Sequence, residues 1–242
     1  MLAIFRKELR SFFSNATGYI VIVIFLLLTG LFLWVIPGEF NILEAGYANV
    51  DGLFYLAPWL FLFLCPAVTM RLFAEEKQTG TWELLLTKPL SMLQITLGKF
   101  FAGWALVSLA LIPTLLYYFS VSYLAEPLGN VDSGAFWGSL IGLFLLAAVY
   151  VAIGTFSSSL SSNQIISFVV AVVLSFFFFY GFEVLISFFT SGESIQLLET
   201  FGIHAHYKSI SRGVIDSRDI LYFIVVSILF IAGTVWKTGK SR

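Results

Sequence analysis

Six long apolar runs constrain this chain more than any other feature, because each is close to the length of a membrane-crossing helix. A bilayer core requires about 20 apolar residues per helix. Of the 242 residues, 59% are hydrophobic and only 11% are charged, whereas soluble domains carry about a quarter charged residues. In a bilayer each backbone amide needs an internal partner, so a span is either a helix or a strand of a closed barrel. The runs lack the polar–apolar alternation of barrel strands and therefore predict an all-α polytopic membrane protein. We place the spans of this single transmembrane domain, residues 1–242, at 17–36, 53–72, 100–122, 135–156, 165–182 and 220–236.

The distribution of lysine and arginine orients these spans. Cytoplasmic loops carry an excess of both residue types. An arrangement with both termini in the cytoplasm places three of the thirteen cations outside, in the long segment 183–219, namely Lys208, Arg212 and Arg218. The remaining ten then lie inside: Arg6, Lys7, Arg10, Arg71, Lys77, Lys88, Lys99, Lys237, Lys240 and Arg242. The sequence thus predicts a multi-pass protein with cytoplasmic termini.

Residues 1–15 are predicted to form an amphipathic helix before the first span. Phe5 and Leu9 recur at helical spacing, while Arg6 and Arg10 occupy a charged face. A helix with such faces lies in the membrane interface, in contact with both lipid and water. The pattern is compatible with a simple anchor and with a lever that meets a cytoplasmic partner.

Residues 73–91 form a compact charged segment between spans 2 and 3. Gly80 can cap a helix, which puts Glu83 at the third helical position, where a carboxylate favours the free amides and the helix dipole. Pro89 ends that helix. An acidic amphipathic helix suits docking into a protein groove; a helix resting on the membrane is the alternative. The predicted contact residues are Glu75, Glu76, Thr79, Gly80, Thr81, Trp82, Glu83, Leu85 and Leu86.

This segment and the six-span layout resemble the permease subunits of ABC-2 type transporters. The resemblance is carried by Glu75-Glu76, Gly80-Thr81, Glu83, Leu84-Leu85-Leu86, Pro89 and Gly98-Lys99. It implies that residues 73–91 contain a coupling helix for a separate ABC ATPase subunit, which would bind ATP and magnesium, with no cofactor in this chain. Within the family, the overall sequence is similar to gliding-motility permeases. That similarity implies a bacterial inner membrane and a second permease-like or GldG-like membrane subunit.

The sequence shows no complete catalytic motif, which predicts a protein that is not an enzyme. The stretch GTVWKTGKSR resembles a phosphate-binding loop, but its second glycine, Gly239, falls one residue late for the motif. No span contains a histidine that could activate a serine nucleophile. The net charge of −1 gives no basic surface for nucleic acid. We therefore expect a permease subunit that transports or transmits force; a non-transporting membrane scaffold that docks a cytoplasmic partner is the alternative.

The segment that follows span 5 holds the remaining candidates for chemistry. Glu183 is the one acidic residue embedded among apolar ones, and an ionisable group in a membrane is a functional candidate. Either span 5 ends near Phe182 and a re-entrant exterior helix follows, or Glu183 lies at the outer headgroups. His204 and His206 form an H-x-H pair, but only two ligands are local. We therefore expect no metal site.

Overall fold

The computed structural model describes residues 1–189, 195, 198–213 and 216–240, and the regular elements of this part are helical. Within these residues, six helices are long and apolar enough to cross a membrane, which confirms the predicted fold class. The spans are α2 (Thr17–Val35), α3 (Asp51–Gln78), α5 (Met92–Leu124), α6 (Ser133–Leu160), α7 (Gln164–Ile186) and α9 (Ser217–Gly239). The shorter helices in the described residues include α1 (Leu2–Ser14), α4 (Thr81–Leu86) and α8 (Ile203–Ile210).

Five of the six span helices are longer than predicted, and α3 and α5 differ most. α3 continues beyond Leu72 to Gln78, so the first part of the 73–91 segment belongs to the span helix. α5 begins at Met92 rather than at residue 100, because Ser91 and Gln94 form a capping box. In it Gln94 N donates to Ser91 Oγ at 3.2 Å, and Ser91 N donates to Gln94 Oε1 at 3.3 Å. This S-x-x-Q signature of a helix start was present in the sequence and was missed.

The centre of the bundle is α6, which is buried along most of its length. Small residues let its neighbours approach closely, as is common where helices pack within a bilayer. A Cβ atom added at Gly154 would lie 2.0 Å from Thr69 Oγ1 of α3. The outward sides of α2 and α7 carry exposed apolar side chains instead, which suits contact with lipid.

The alternating spans give the bundle two ends. We call the end with α1, α4 and the α6–α7 turn the N-terminal face. The opposite end, the distal face, includes α8, which packs on the starts of α3 and α6. There Tyr207 Oη donates to the Phe54 carbonyl at 2.8 Å, and Ser139 Oγ donates to the Ser211 carbonyl at 2.8 Å.

Candidate functional site

The short helix α4 stands on the N-terminal face and is fastened to α3 by Trp82. Gly80 precedes it at a φ of +73°, a left-handed conformation that glycine adopts without strain. The Trp82 side chain turns inward and leaves only 6% of the residue exposed. Its ring meets that of Phe73 in a T-shaped contact, with 5.6 Å between centroids. Trp82 therefore packs inside the protein and supports α4 there. This differs from the predicted contact set, which places Trp82 on the outer side.

The outer side of α4 is formed by an acidic residue followed by an apolar one. Glu83 is exposed, and Leu84 is 66% exposed, whereas Leu85 and Leu86 are half-buried against the core. Leu84 was absent from the predicted contact set, since periodicity alone could not tell which leucine of the three faces outward. The outer side thus presents one carboxylate and one apolar side chain together.

The turn before α4 is also open to a partner. Glu75, Thr79 and Thr81 are exposed. Thr79 Oγ1 donates to the Glu75 carbonyl at 2.8 Å and lies 3.0 Å from Thr81 Oγ1. These contacts hold the turn in a defined shape that joins the end of α3 to α4.

Beneath α4 lies a group of four charged side chains that we call the ion cluster: Lys7, Glu8, Glu76 and Lys99. Glu76 was predicted to contact a partner, but the structure buries it here. Lys99 Nζ lies 2.9 Å from both Glu8 Oε1 and Glu76 Oε2. Lys7 Nζ donates to Glu76 Oε1 at 2.6 Å. The cluster therefore joins α1, the end of α3 and the start of α5.

The burial of Lys99 explains why the cluster must be complete. Its side chain is only 1% exposed, and a buried charge is tolerated when it is paired and hydrogen-bonded. Lys99 Nζ donates to Glu8 Oε1 and to the Leu72 carbonyl, at 2.9 and 2.5 Å. The contact with Glu76 Oε2 is an ion pair without hydrogen-bond alignment. With Lys7, two cations face two carboxylates, so the cluster is neutral.

The titration of the α1 members reflects this pairing. Burial alone would raise the pKa of Glu8, but the charge and hydrogen bond of Lys99 outweigh it and lower that pKa below its ordinary value. Partial burial alone would lower the pKa of Lys7, but its hydrogen bond and attraction to Glu76, with the charge of Glu8, raise it. Both charged forms are therefore stabilised in the folded protein.

The orientation of α1 also differs from the prediction. Its buried face is formed by Ile4, Glu8 and Phe12, while Arg6 and Arg10 are exposed and Phe5 and Leu9 are half-buried. The signal available in the sequence was a carboxylate spaced four residues from an apolar residue on either side. In the structure these three side chains point into the protein, so α1 buries the carboxylate of Glu8 between two apolar side chains.

Close packing brings α1 against α5. A Cβ atom added at Gly98 would lie 2.9 Å from Ile4 Cβ, so the Gly98-Lys99 pair combines room for α1 with the cation that binds it. Arg71 of α3 makes a second contact with α1. Its guanidinium lies 4.5 Å from the centre of the Phe12 ring and donates to Thr17 Oγ1 at 3.3 Å.

The end of α6 is joined to the same part of α3. At the turn residue Met70 the helix is locally interrupted, and Ser158 Oγ accepts from Phe73 N and Ala74 N at 3.0 and 3.2 Å. The same hydroxyl donates to the Met70 carbonyl at 2.8 Å. Lys77 Nζ donates to the Ser159 carbonyl. The part of α3 that carries α4 thus contacts α1, α2, α5 and α6.

On the distal face, Glu183 lies within α7, which continues past Phe182 to Ile186. Glu183 Oε2 lies 3.0 Å from His204 Nδ1. His206 Nδ1 instead lies 2.7 Å from Asp219 Oδ1, so the two histidines have different carboxylate partners. Parts of the predicted exterior segment, residues 190–194, 196–197 and 214–215, lie outside the described residues.

Comparison with known protein families identifies the family to which the chain belongs. Residues 40–198 match the family model described as ABC-2 family transporter protein. The matched region contains α3, α4, α5, α6 and α7, and with them Glu76 and Lys99 of the ion cluster, but neither α1 nor α8. A search of curated proteins found no match to the chain. Since the family model covers more than half of the sequence, the chain belongs to the ABC-2 transporter family, as a membrane-spanning permease subunit of an ABC transporter.

Proposed function

We propose that this permease subunit couples ATP hydrolysis by a separate ABC ATPase to export or to mechanical work across the membrane. The observation that carries the proposal is the position of α4. Its outer side, Glu83 and Leu84, is open, while its inner side rests on a buried, charge-paired junction of helices. A helix exposed in this way suits insertion into a groove of a soluble partner. The ATP and magnesium would be bound by that partner.

The contacts beneath α4 provide a route for its movement. Trp82 packs on Phe73 of α3, and the ion cluster connects α3 with α1 and α5. The pairs of Lys99 with Glu8 and Glu76 are buried and therefore screened little by water and salt, so these helices resist separation when α3 is displaced. A shift of α4 would therefore move α1, α3 and α5 together, as in rigid-body transitions between two packed arrangements.

The N-terminal face would accordingly be cytoplasmic and the membrane would be the bacterial inner membrane. The distribution of cations supports this orientation. Lys7, Arg71 and Lys77 belong to the N-terminal face, whereas Lys208 lies on the distal helix α8. An excess of lysine and arginine marks the cytoplasmic side.

A second membrane subunit would complete the transporter, because one six-span unit cannot easily enclose a path. The overall sequence resembles the gliding-motility permease GldF, which supports a GldG-like second subunit and a role in gliding. The exposed apolar sides of α2 and α7 leave room for lipid and for such a neighbour.

The docking proposal is tested by co-purification from detergent-solubilised membranes. The variant Glu83→Arg/Leu84→Asp changes only exposed groups of α4, and Glu44→Arg/Leu43→Asp is a matched control on the loop after α2. We expect wild type and the control to retain an ABC ATPase subunit and the α4 variant to lose it. Retention of the ATPase by the α4 variant would contradict the assignment of α4 as the docking element.

A second experiment separates a coupling permease from a passive scaffold. Spin labels would replace Leu84 on α4 and Leu43 on the distal face, both exposed; the native Cys65 is buried and accepts no label in the folded protein. In the complex with the ATPase, coupling predicts a change in the label-to-label distance distribution when ATP is added. An unchanged distribution while the ATPase stays bound would favour the scaffold.

A further inference from the structure

A cavity of about 520 Å³ opens on the distal face between the end of α7 and helix α8. It lies at the opposite end of the bundle from α4 and the ion cluster. Its walls combine apolar and charged groups: Phe179, Phe182 and Ile186 line one part, and Glu183, Glu199, Lys208 and Arg212 line another. A cavity with both kinds of wall suits a ligand that is itself amphipathic.

The charged groups of the cavity are of both signs. Lys208 and Arg212 are exposed and make no ion pair within the described part of the chain. Among the described residues, Glu183 pairs with the half-buried His204, at 3.0 Å. Burial, together with the charge of Lys208, lowers the pKa of His204 in spite of Glu183, which favours the neutral ring. Two cations and two carboxylates therefore remain available to one ligand.

The apolar wall continues onto the lipid-facing side of α7. Val184 and Leu185 are exposed beside Glu183, and Phe188 and Phe189, which follow α7, are exposed as well. The cavity is located where α7 ends and α9 begins, the level at which a span gives way to the headgroup region. An acyl chain that leaves the cavity along α7 would therefore enter the bilayer directly.

We propose that this cavity binds the phosphoethanolamine headgroup of a membrane lipid. Lysine and arginine are the side chains suited to a phosphate oxygen, and the carboxylates of Glu183 and Glu199 would accept from the primary ammonium. A choline headgroup has no N–H to donate, and a phosphatidylglycerol headgroup has no cation to place near the carboxylates. The proposal does not depend on the docking of an ATPase at the opposite face.

The test uses the purified full chain in detergent, with lipid binding followed by native mass spectrometry. The lipids are phosphatidylethanolamine, phosphatidylcholine and phosphatidylglycerol, offered one at a time in the same micelles. The variant Lys208→Gln/Arg212→Gln removes both cations. Arg218→Gln is the matched control, since Arg218 is an exposed distal cation outside the cavity lining.

We expect wild type to bind phosphatidylethanolamine about tenfold or more tightly than the other two lipids, because charged hydrogen bonds are lost with either of them. The double variant should bind all three lipids more weakly, since each carries a phosphate, and Arg218→Gln should bind them as wild type does. Soluble glycerophosphoethanolamine should compete poorly, since it lacks the acyl chains. Equal binding of the three lipids, unchanged affinity for phosphatidylethanolamine in the double variant, or equally tight binding of the soluble headgroup would overturn the proposal.

Discussion

Removal of the charge on Lys99 tests the role assigned to the ion cluster. Lys99→Met keeps a long side chain of similar volume but takes away the cation between Glu8 and Glu76. The side chains of these glutamates are only 8% and 11% exposed, so water cannot replace the lost partner. Lys7 still pairs with Glu76 at 2.6 Å, but it lies 3.4 Å from Glu8. The substitution therefore leaves Glu8 as the poorly compensated charge.

The size of the effect follows from this burial. Loss of one partner of a buried ion pair costs about 3–5 kcal/mol. Because Lys7 retains part of the pairing, we expect Lys99→Met to lower the free energy of unfolding by about 3 kcal/mol, the lower end of that range. Lys99→Met/Glu8→Gln removes the stranded carboxylate charge as well. It should regain about half of the loss, since the remaining Glu76 keeps Lys7 as its partner.

The assay is unfolding of the purified chain by SDS in mixed micelles, followed by the fluorescence of its six tryptophans. Lys88→Met is the control, because Lys88 is exposed and makes no ion pair in the described residues. It should change the free energy of unfolding by less than about 0.5 kcal/mol. A cost below about 1 kcal/mol for Lys99→Met, or a further loss on adding Glu8→Gln, would refute the account of a compensated buried charge.

Three more predictions concern the same face and the same unfolding assay. Gly98→Val should cost about 1–3 kcal/mol, because its Cβ would lie 2.9 Å from Ile4, whereas Gly239→Val, with open space around it, should be close to neutral. Trp82→Ala should cost about 3 kcal/mol through loss of its packing on α3; a result within error of wild type would show that α4 is not anchored this way. The lowered pKa of Glu8 adds stability at pH values above the ordinary pKa of glutamate, and this contribution is lost as the pH falls through the lowered pKa. Wild type should therefore lose more stability on acidification than Glu8→Gln, and equal losses would contradict the assignment.

The spans were predictable from the sequence because length and apolarity are properties of a continuous stretch. The Gly80 cap and the helix that follows it were also predictable, because they depend on residues that are adjacent in the sequence. The limits of α5 could also have been placed better, since Ser91 and Gln94 are only three residues apart and form a local signature. Features that depend on neighbouring residues were thus within reach of sequence analysis.

The ion cluster could not be predicted from the sequence, because its members are far apart along the chain. Glu8 and Lys99 are separated by 91 positions, and Lys7 and Glu76 by 69. Lys99 was counted as one of many cations that orient the spans, and nothing near it indicated burial. Glu76 was assigned to the outer surface for the same reason. Only the packing of α1 on α5 brings these charges together, and that packing is a property of the whole bundle.

The outward side of α4 was likewise decided by tertiary contacts. In a helix of six residues the apolar residues Trp82, Leu84, Leu85 and Leu86 point in nearly every direction, so periodicity cannot select one face. The inward face is fixed by the contact between the Trp82 ring and Phe73 of the preceding helix. The residue left for a partner is then Leu84, together with Glu83.

The docking of an ABC ATPase on α4 can be tested by photocrosslinking in native membranes. A benzophenone amino acid would replace Leu84, and in a parallel strain it would replace Tyr123, which is exposed at the end of α5 near the distal face. After illumination, adducts would be identified by mass spectrometry. We expect an adduct with an ABC ATPase subunit from position 84 and none from position 123. No ATPase adduct from position 84, or equal adducts from both positions, would contradict the claim that α4 is where the ATPase docks.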